Sequence, residues 1–214
     1  MKHKGIRVKA SKGPTTEKRT MMPRRPTNAA VRPREYLTGE EIRLLLKTAR
    51  SRPGRNGHRD ATMILMAYRH GLRVSELVAM RWDMLDLKRG TFHVVRRKNG
   101  RPSVHYIRGD EIRALRKVER EQIVGSPYVF VSKRKGPLTV AAFQKLFTRI
   151  SQEAEFPFPI HPHMLRHSCG FRLANDGHDT RALQEWLGHQ NIQHTVRYTE
   201  LTPQRFKDFW QGEE

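Results

Sequence analysis

The chain has 214 residues, of which 42 are Lys or Arg and 21 are Asp or Glu, so its formal net charge is +21. A surplus of this size indicates a polyanionic partner, with nucleic acid ahead of an anionic membrane surface. The sequence has no apolar run of about 18 residues, which excludes a membrane-spanning helix. Its one cysteine excludes a disulfide framework and favours a reducing cytoplasm.

Residues 1–36 differ in composition from the rest of the chain. They carry 11 Lys or Arg, 2 Asp or Glu and four prolines, with almost no apolar periodicity. This composition predicts a disordered basic tail. The tail contributes +9 of the total charge, so residues 37–214, which are predicted to form the folded domain, remain strongly basic.

The predicted elements of the domain begin with a helix at LTGEEIRLLLKTAR, which Thr38 and Glu41 open as a capping box. A strongly apolar helix then ends at Gly71, and a short helix follows at RVSELVAMRW. Two β-rich runs flank Asn99-Gly100, which predicts a hairpin. A helix at GDEIRALRKVERE, a short strand at YVFVS, three further helices, a short helical stretch and an amphipathic end complete the chain. The fold class is therefore predicted to be mainly α (α+β), a helical domain with a small antiparallel sheet.

Two basic positions in the first half of the domain could contact a phosphate. Arg73 opens the short helix in GLRVSEL, where free backbone N–H groups favour an anion and a guanidinium can add two parallel hydrogen bonds. The alternative is a surface arginine paired with Glu76. Lys98, at the tip of the predicted hairpin, could reach into a DNA groove and protonate a leaving oxygen. The alternative there is a solvated basic turn.

The segment HPHMLRHSCG places His163, Arg166 and His167 at positions i, i+3 and i+4, so they share one helix face. Three interpretations follow: a structural helix with a buried histidine and cysteine, a zinc site, or a phosphate clamp. The zinc site is disfavoured because the glutamate of the His-Glu-x-x-His pattern is missing and an arginine lies between the ligands. In a clamp, Arg166 supplies charge and His163 transfers a proton.

The segment LGHQNIQHTVRYT carries His189 just beyond a helix end at Gly188, and Tyr198 nine residues later. The tyrosine is either an aromatic anchor packed on a neighbouring helix or a nucleophile. The residues alone leave both interpretations open.

Taken in chain order, these residues resemble the motif of the tyrosine recombinase (phage integrase) family: Arg, Lys, His-x-x-Arg, His or Trp, Tyr. GLRVSEL resembles the first-arginine box, HPHMLRHS the His-x-x-Arg box and LGHQNIQHTVRYT the final box. The sequences of these boxes are most similar to those of the small recombinases that invert the promoter of bacterial fimbrial operons. The resemblance covers about residues 37–210. Phage integrases carry a helical core-binding domain before the catalytic domain, and we expect no separate one here.

The resemblance implies a DNA strand transferase that needs neither metal nor cofactor. Tyr198 would be the nucleophile and would form a 3′-phosphotyrosyl link with a free 5′ hydroxyl, so rejoining would need no ATP. The other implied roles are phosphate neutralisation by Arg73 and Arg166, proton acceptance by His163, a phosphate hydrogen bond from His189 and proton donation by Lys98. Glu76 and His167 are assigned supporting roles, with His167 holding Arg166 or a backbone carbonyl. A base at His163 predicts that cleavage falls below about pH 6.

The implied partners are specific sites in double-stranded DNA, a homotetramer on that DNA and DNA-bending accessory proteins, with no membrane and a cytoplasmic, nucleoid-associated location. The outcome would be inversion, or integration and excision. Two alternatives stay open: a type IB topoisomerase that nicks and reseals one duplex, and a non-catalytic DNA-binding regulator. The terminal stripe Phe206, Phe209 and Trp210 is either core or a segment that docks on a neighbouring subunit.

Overall fold

The chain is mostly helical in a computed structural model that describes residues 34–96, 100–122, 125–132 and 136–200. The helices are α1 (Gly39–Ser51), α2 (Arg55–Arg69), α3 (Val74–Leu77), α4 (Gly109–Glu121), α5 (Val140–Glu153), α6 (His163–Asn175), α7 (Thr180–Leu187) and α8 (Gln193–Glu200). The strands are β1 (Leu85–Asp86), β2 (Thr91–Val94) and β3 (Ser103–Tyr106), which form one antiparallel sheet in the order β1-β2-β3. The predicted fold class is confirmed.

Helix α2 lies at the centre of the fold and packs against α1, α4 and α6. Its apolar run is buried on several sides, since Met63, Ile64 and Met66 are all fully inaccessible to solvent. Helix α1 covers it with an amphipathic face and begins at the predicted capping box, in which the Thr38 hydroxyl accepts from the Glu41 N–H. Burial of this kind, rather than helix propensity alone, stabilises helices of this length.

The predicted hairpin is present, with β2 and β3 paired so that Phe92 lies opposite His105 and Val94 opposite Ser103. Side chains alternate between the two faces of a strand, and Phe92 and Val94 point into the core. Arg96 continues that alternation beyond the end of β2 and is also buried. The tip of the hairpin, residues 97–99, lies outside the described residues.

Two predicted elements differ from the structure. The segment YVFVS was predicted to be a strand, but it makes only two isolated bridges, Arg81 with Tyr128 and Val131 with Pro137. Val129 and Phe130 form a bend, and the buried residues Val129, Phe130 and Val131 do not join the three-stranded sheet. The helix predicted at RVSELVAMRW is a single turn, α3, and a 3-10 turn at Trp82–Met84 leads into β1, which the sequence did not predict.

The first described residues, assigned to the tail from composition, contact the domain. Arg34 pairs with Glu41, and the ring of Tyr36 lies 4.1 Å from that of Phe171. Arg34 is also the first residue of the compact unit that contains the domain. Residues 1–33 and the predicted terminal stripe at 206–210 lie outside the described residues. Within the described ranges, none of the helices combines the length and apolarity needed to cross a bilayer.

Candidate active site

Two backbone corners carry two of the predicted site residues, Arg73 and His189. The first corner, residues 70–73, connects the end of α2 to α3 and carries Arg73. The second corner, residues 186–189, follows from the end of α7 and carries His189. Gly188 caps α7 with a φ of +66°, and a Cβ added there would lie 2.6 Å from Cγ of Arg96. The second corner therefore requires glycine, both for its left-handed backbone and for the space.

Arg166 on α6 connects the two corners. Its guanidinium donates to the carbonyl of Gly71 at 2.5 Å and to the carbonyl of Leu187 at 2.7 Å. The side chain is almost fully buried. Burial first, and then the nearby charges of Arg73 and Arg96, lower its pKa to about 10. Even at that pKa the guanidinium is charged at neutral pH, so the site holds a buried cation that donates to two main-chain carbonyls.

Glu76 connects two arginines at the start of α3. One carboxylate oxygen accepts from the Arg73 guanidinium at 2.8 Å, and the other accepts from the Arg73 backbone N–H at 2.9 Å. The sequence assigned Glu76 a supporting role at this helix, and the contact fits that role. The helix dipole of α3 adds little to the binding of an anion at Arg73, because α3 is a single turn and Glu76 already accepts from the N–H of Arg73.

Arg96 is the second partner of Glu76, and the sequence did not assign it a role. Its guanidinium donates to Glu76 at 3.0 Å, to the carbonyl of His70 at 3.1 Å and to the carbonyl of Gly71 at 3.4 Å. It also donates to the carbonyl of Trp186. Its burial lowers its pKa. The alternation of Phe92, Val94 and Arg96 along β2 was the signal that could have placed this side chain in the interior.

A buried hydrogen-bonded chain supports the first corner from behind. Nδ1 of His70 lies 3.0 Å from Nδ1 of His105, and Nε2 of His70 lies 3.0 Å from Glu111. The far side of the His105 ring is 2.9 Å from the Ser103 hydroxyl. Burial is the main reason that the pKa of His105 falls to about 2. The chain joins the end of α2 to β3 and to the first turn of α4.

Tyr198 on α8 lies inside the domain. Its side chain is only 1% exposed, and its hydroxyl oxygen is 2.8 Å from Nδ1 of His167. The ring packs edge-on against Phe171 with centroids 5.2 Å apart. Burial raises the pKa of the hydroxyl to about 12, although the positive charge of Arg166 acts in the opposite direction. The hydroxyl is therefore protonated at neutral pH.

His167 has a different partner from the one expected. The sequence suggested that it holds Arg166 or a backbone carbonyl, whereas the structure places its ring nitrogen against the Tyr198 hydroxyl. The two residues are 31 positions apart, so helix periodicity could not reveal the contact. Burial and the neighbouring His163 lower the pKa of His167 to about 3, and the ring is neutral at physiological pH.

Two further histidines surround this pair. The ring of His163 is exposed and lies edge-on to His167 with centroids 4.6 Å apart, while the ring of His189 is nearly parallel to Tyr198 at 6.5 Å. Nδ1 of His189 is 2.9 Å from the Thr195 hydroxyl. Desolvation, then Arg166 and Arg73, lower the pKa of His163 and bring that of His189 to about 3. Both rings are neutral at pH 7 and available as proton acceptors or hydrogen-bond partners.

The structure therefore brings together five of the six residues predicted to carry the chemistry. Arg73, His163, Arg166, His189 and Tyr198 are connected through α3, α6, the two corners and α8. The sixth, Lys98, lies outside the described residues. What the arrangement offers is a hydroxyl group, neutral imidazoles and two guanidinium groups, one buried and one a quarter exposed. Such a set suits an oxyanion that gains negative charge, as a phosphodiester does under nucleophilic attack.

Comparison with known proteins identifies the family. Residues 35–205 match the model of the phage integrase family. The chain belongs to that family. This family member is 40% identical over 183 residues to the type 1 fimbriae regulatory protein FimE of Escherichia coli strain K12, covering 83% of this chain and 91% of FimE. It is 34% identical over 157 residues to the tyrosine recombinase XerD of Ralstonia nicotianae, covering 71% of this chain and 51% of XerD.

Solved structures agree on the fold of this phage integrase family member. The crystal structure of XerA recombinase superposes with a TM-score of 0.69 at 22% identity, covering 82% of this chain and 63% of XerA. The predicted family, the enzyme class of tyrosine-type recombinases and the function of site-specific DNA recombination are confirmed.

Proposed function

We propose that this recombinase cleaves and rejoins specific sites in double-stranded DNA through Tyr198, and that the outcome is inversion of the segment between two sites. The observation that carries the proposal is the hydrogen bond between the Tyr198 hydroxyl and His167, within a cluster that also contains Arg166, His163 and His189. Inversion is favoured over integration because the site motifs resemble those of the small recombinases that invert fimbrial promoters. The similarity to the type 1 fimbriae regulatory protein FimE extends over 91% of that protein.

Strand cleavage would proceed by direct displacement at phosphorus. The Tyr198 oxygen attacks the phosphorus, a 3′-phosphotyrosyl bond forms, and the bond from phosphorus to the 5′ oxygen breaks. The tyrosine proton passes to an imidazole, for which His163 is the accepting base. The 5′ oxygen takes a proton from Lys98 and leaves as a hydroxyl. Rejoining is the reverse reaction with the 5′ hydroxyl of the partner strand, so the free energy of the phosphodiester is retained and ATP is not needed.

Arg73 and Arg166 would stabilise the charge that builds on the non-bridging oxygens. Arg166 already uses two guanidinium nitrogens on the carbonyls of Gly71 and Leu187, so its orientation is set before DNA arrives. Arg73 is 25% exposed in its side chain and therefore accessible to a phosphate. Preorganised cations of this kind contribute more in a water-poor site than they do in bulk water. His189 would add a hydrogen bond to the same phosphate.

The burial of Tyr198 has a consequence for this mechanism. A ring that is 1% exposed cannot contact a DNA phosphate from its present position. Helix α8 must therefore shift when DNA binds, so that the hydroxyl leaves His167 and reaches the phosphate. We propose that the shift accompanies assembly of a tetramer on two recombination sites, and that accessory proteins which bend DNA bring those sites together.

The test is a covalent trap. Purified protein is mixed with sheared DNA from its own host in EDTA, the reaction is stopped with detergent, and the ends of protein-bound DNA are sequenced. We expect discrete ends, inverted repeats around them, and complete loss of adduct in Tyr198→Phe. Relaxation of supercoiled DNA without exchange of ends between sites would favour a topoisomerase. Tight DNA binding with no adduct would contradict the proposed chemistry.

A further inference from the structure

The side chain of Arg96 has 0% exposure, yet it contacts both corners of the candidate site. On the first corner it binds the carbonyls of His70 and Gly71, and on the second it binds the carbonyl of Trp186. A guanidinium carries five N–H donors in a rigid fork, which allows one side chain to join several acceptors from different elements. Arg96 therefore holds two backbone segments that are more than 100 residues apart in the sequence.

The two corners lead directly to residues of the proposed mechanism. Arg73 is two residues beyond Gly71, and His189 is three residues beyond Trp186. Arg166 connects the same corners through the carbonyls of Gly71 and Leu187. Two buried guanidinium groups thus fix the separation between the segment that presents Arg73 and the segment that presents His189.

Glu76 connects Arg96 to Arg73 by a second route. One carboxylate oxygen accepts from Arg96 and the other accepts from the Arg73 guanidinium. If Arg96 lost its charge, the buried carboxylate would interact more strongly with Arg73, because a buried ion that loses one partner is costly unless another compensates. The Arg73 guanidinium would then be drawn toward Glu76 and would be less available to a phosphate.

Gly188 and Gly100 place the arginine stem in a close-fitting site. A Cβ added at Gly100 would lie 2.7 Å from Cβ of Arg96 and 2.9 Å from the carbonyl oxygen of Gly188. The end of β2 is therefore packed directly against the second corner, and the position of Arg96 is fixed by van der Waals contacts as well as by hydrogen bonds.

We infer that Arg96 is a positioning residue for strand cleavage, which sets the geometry of Arg73 and His189 without touching the DNA. The inference rests on the proposed function for its kinetic consequence. Its structural consequence, that the two corners move when the planar fork of Arg96 is lost, does not depend on catalysis.

The kinetic test uses Arg96→Met, which keeps the length of the stem and removes the fork. We expect the single-turnover rate of covalent adduct formation to fall about 10²-fold, the size of effect that small misplacement of catalytic groups produces. The dissociation constant for DNA should stay within a factor of about two, because the side chain is inaccessible to a ligand. Arg96→Lys, which keeps the charge next to Glu76, should recover part of the rate.

Arg59→Met is the matched control. Arg59 also binds one carboxylate, Asp60, and one backbone carbonyl, that of Val131, but it contacts neither corner. This variant should lose stability, as measured by urea unfolding, while adduct formation stays near the wild-type rate at temperatures where it is folded. An equal loss of rate in both variants would overturn the inference, and so would a parallel weakening of DNA binding in Arg96→Met.

A second readout separates this inference from the proposed function. In Arg96→Lys, the backbone amide NMR signals of Arg73 and His189 should shift from their wild-type positions, whereas in Arg59→Lys they should not. Unchanged signals at both corners would overturn the inference, whether or not the wild-type protein forms an adduct. If the signals shift in Arg96→Lys but the wild-type protein forms no adduct, the positioning role is supported and the proposed function is contradicted.

Discussion

The hydroxyl oxygen of Tyr198 lies 2.8 Å from Nδ1 of His167, and the two residues hold α8 against α6. The contact occupies the group that would attack DNA. It also places the hydroxyl next to an imidazole that is neutral at pH 7, since burial lowers its pKa to about 3. The arrangement therefore keeps the proposed nucleophile protonated and shielded from solvent.

Gly170→Ala should disturb this arrangement. A Cβ at position 170 would lie 2.8 Å from Cε2 and Cζ of the Tyr198 ring, which is closer than side-chain carbons approach in folded proteins. We expect the ring to be displaced, the free energy of unfolding to fall by about 1–3 kcal/mol, and nitration of Tyr198 by tetranitromethane to become faster. Mass spectrometry of the nitrated peptide measures the rate. Gly39→Ala, where the added Cβ meets no atom within 4 Å, is the control, and equal nitration of both variants would contradict the expected displacement.

Arg166→Lys should reduce cleavage by about 10²–10³-fold. A lysine ammonium cannot bind the carbonyls of Gly71 and Leu187 and also offer a planar fork to phosphate. The loss of one of two buried hydrogen bonds should lower the free energy of unfolding by about 1–3 kcal/mol. Adduct formation and urea unfolding measure the two effects. Arg172→Lys on the same helix is the control, because the Arg172 side chain is largely exposed and pairs with Asp176 on the surface. Full activity in Arg166→Lys would show that cleavage does not require the planar guanidinium of Arg166.

Stability should fall as the pH is lowered from 7.5 to 5.5. His105, His167 and His189 have pKa values of about 2, 3 and 3 in the folded protein, mainly because they are buried. In the unfolded chain they titrate near 6.5. The unfolded state therefore binds more protons throughout this range, and stability that is fully present above pH 6.5 is lost as the pH falls.

Each of these histidines can contribute at most about 1.4 kcal/mol per pH unit below its unfolded pKa. Urea unfolding at pH 7.5, 6.5 and 5.5 gives the slope. In His105→Gln, the free energy of unfolding should depend less steeply on pH, because one fewer group takes up a proton on unfolding. A protein equally stable at pH 7.5 and 5.5 would show that these rings are protonated in the folded state.

Cleavage should have an acid limb that belongs to His163. Desolvation and the charges of Arg166 and Arg73 lower the pKa of this ring below 6.5, so the base stays neutral through the physiological range. We expect a constant single-turnover rate from pH 8 to about 6.5, and a decline at lower pH as the ring takes up a proton. His163→Gln should lower the plateau and remove the limb. A flat profile down to pH 5, or an unchanged limb in His163→Gln, would assign the proton transfer to another group.

Local sequence signals predicted much of the fold and most of the candidate site. The Thr38 capping box, the helix end before Gly71 and the hairpin around Asn99-Gly100 each depend on short-range chemistry, and the structure contains the first two and the paired strands of the third. The order of the site residues was available because the family motif is a linear pattern. These features need only neighbours within a few positions of the chain.

The burial pattern and the partners within the site were not predictable in this way. His163 and Arg166 were placed on one face of α6, yet His163 is exposed and Arg166 is 2% exposed. Residues 164–171 are all buried, so this part of α6 has no exposed stripe from which periodicity could assign an orientation. The contact from His167 to Tyr198 and the role of Arg96 depend on long-range packing, and only the alternation along β2 hinted at the second.

The carbonyl groups of Gly71 and Leu187, which hold Arg166, belong to the main chain. No side-chain substitution removes these acceptors, so an alanine scan across positions 71 and 187 would report space and backbone freedom rather than the loss of two hydrogen bonds. A genetic screen for loss of recombination would in the same way recover the arginine and overlook what it binds. Replacing the following amides by esters weakens each carbonyl as an acceptor and leaves every side chain in place, although it also removes the N–H groups that Leu72 and Gly188 donate to the carbonyls of Ala67 and Glu185.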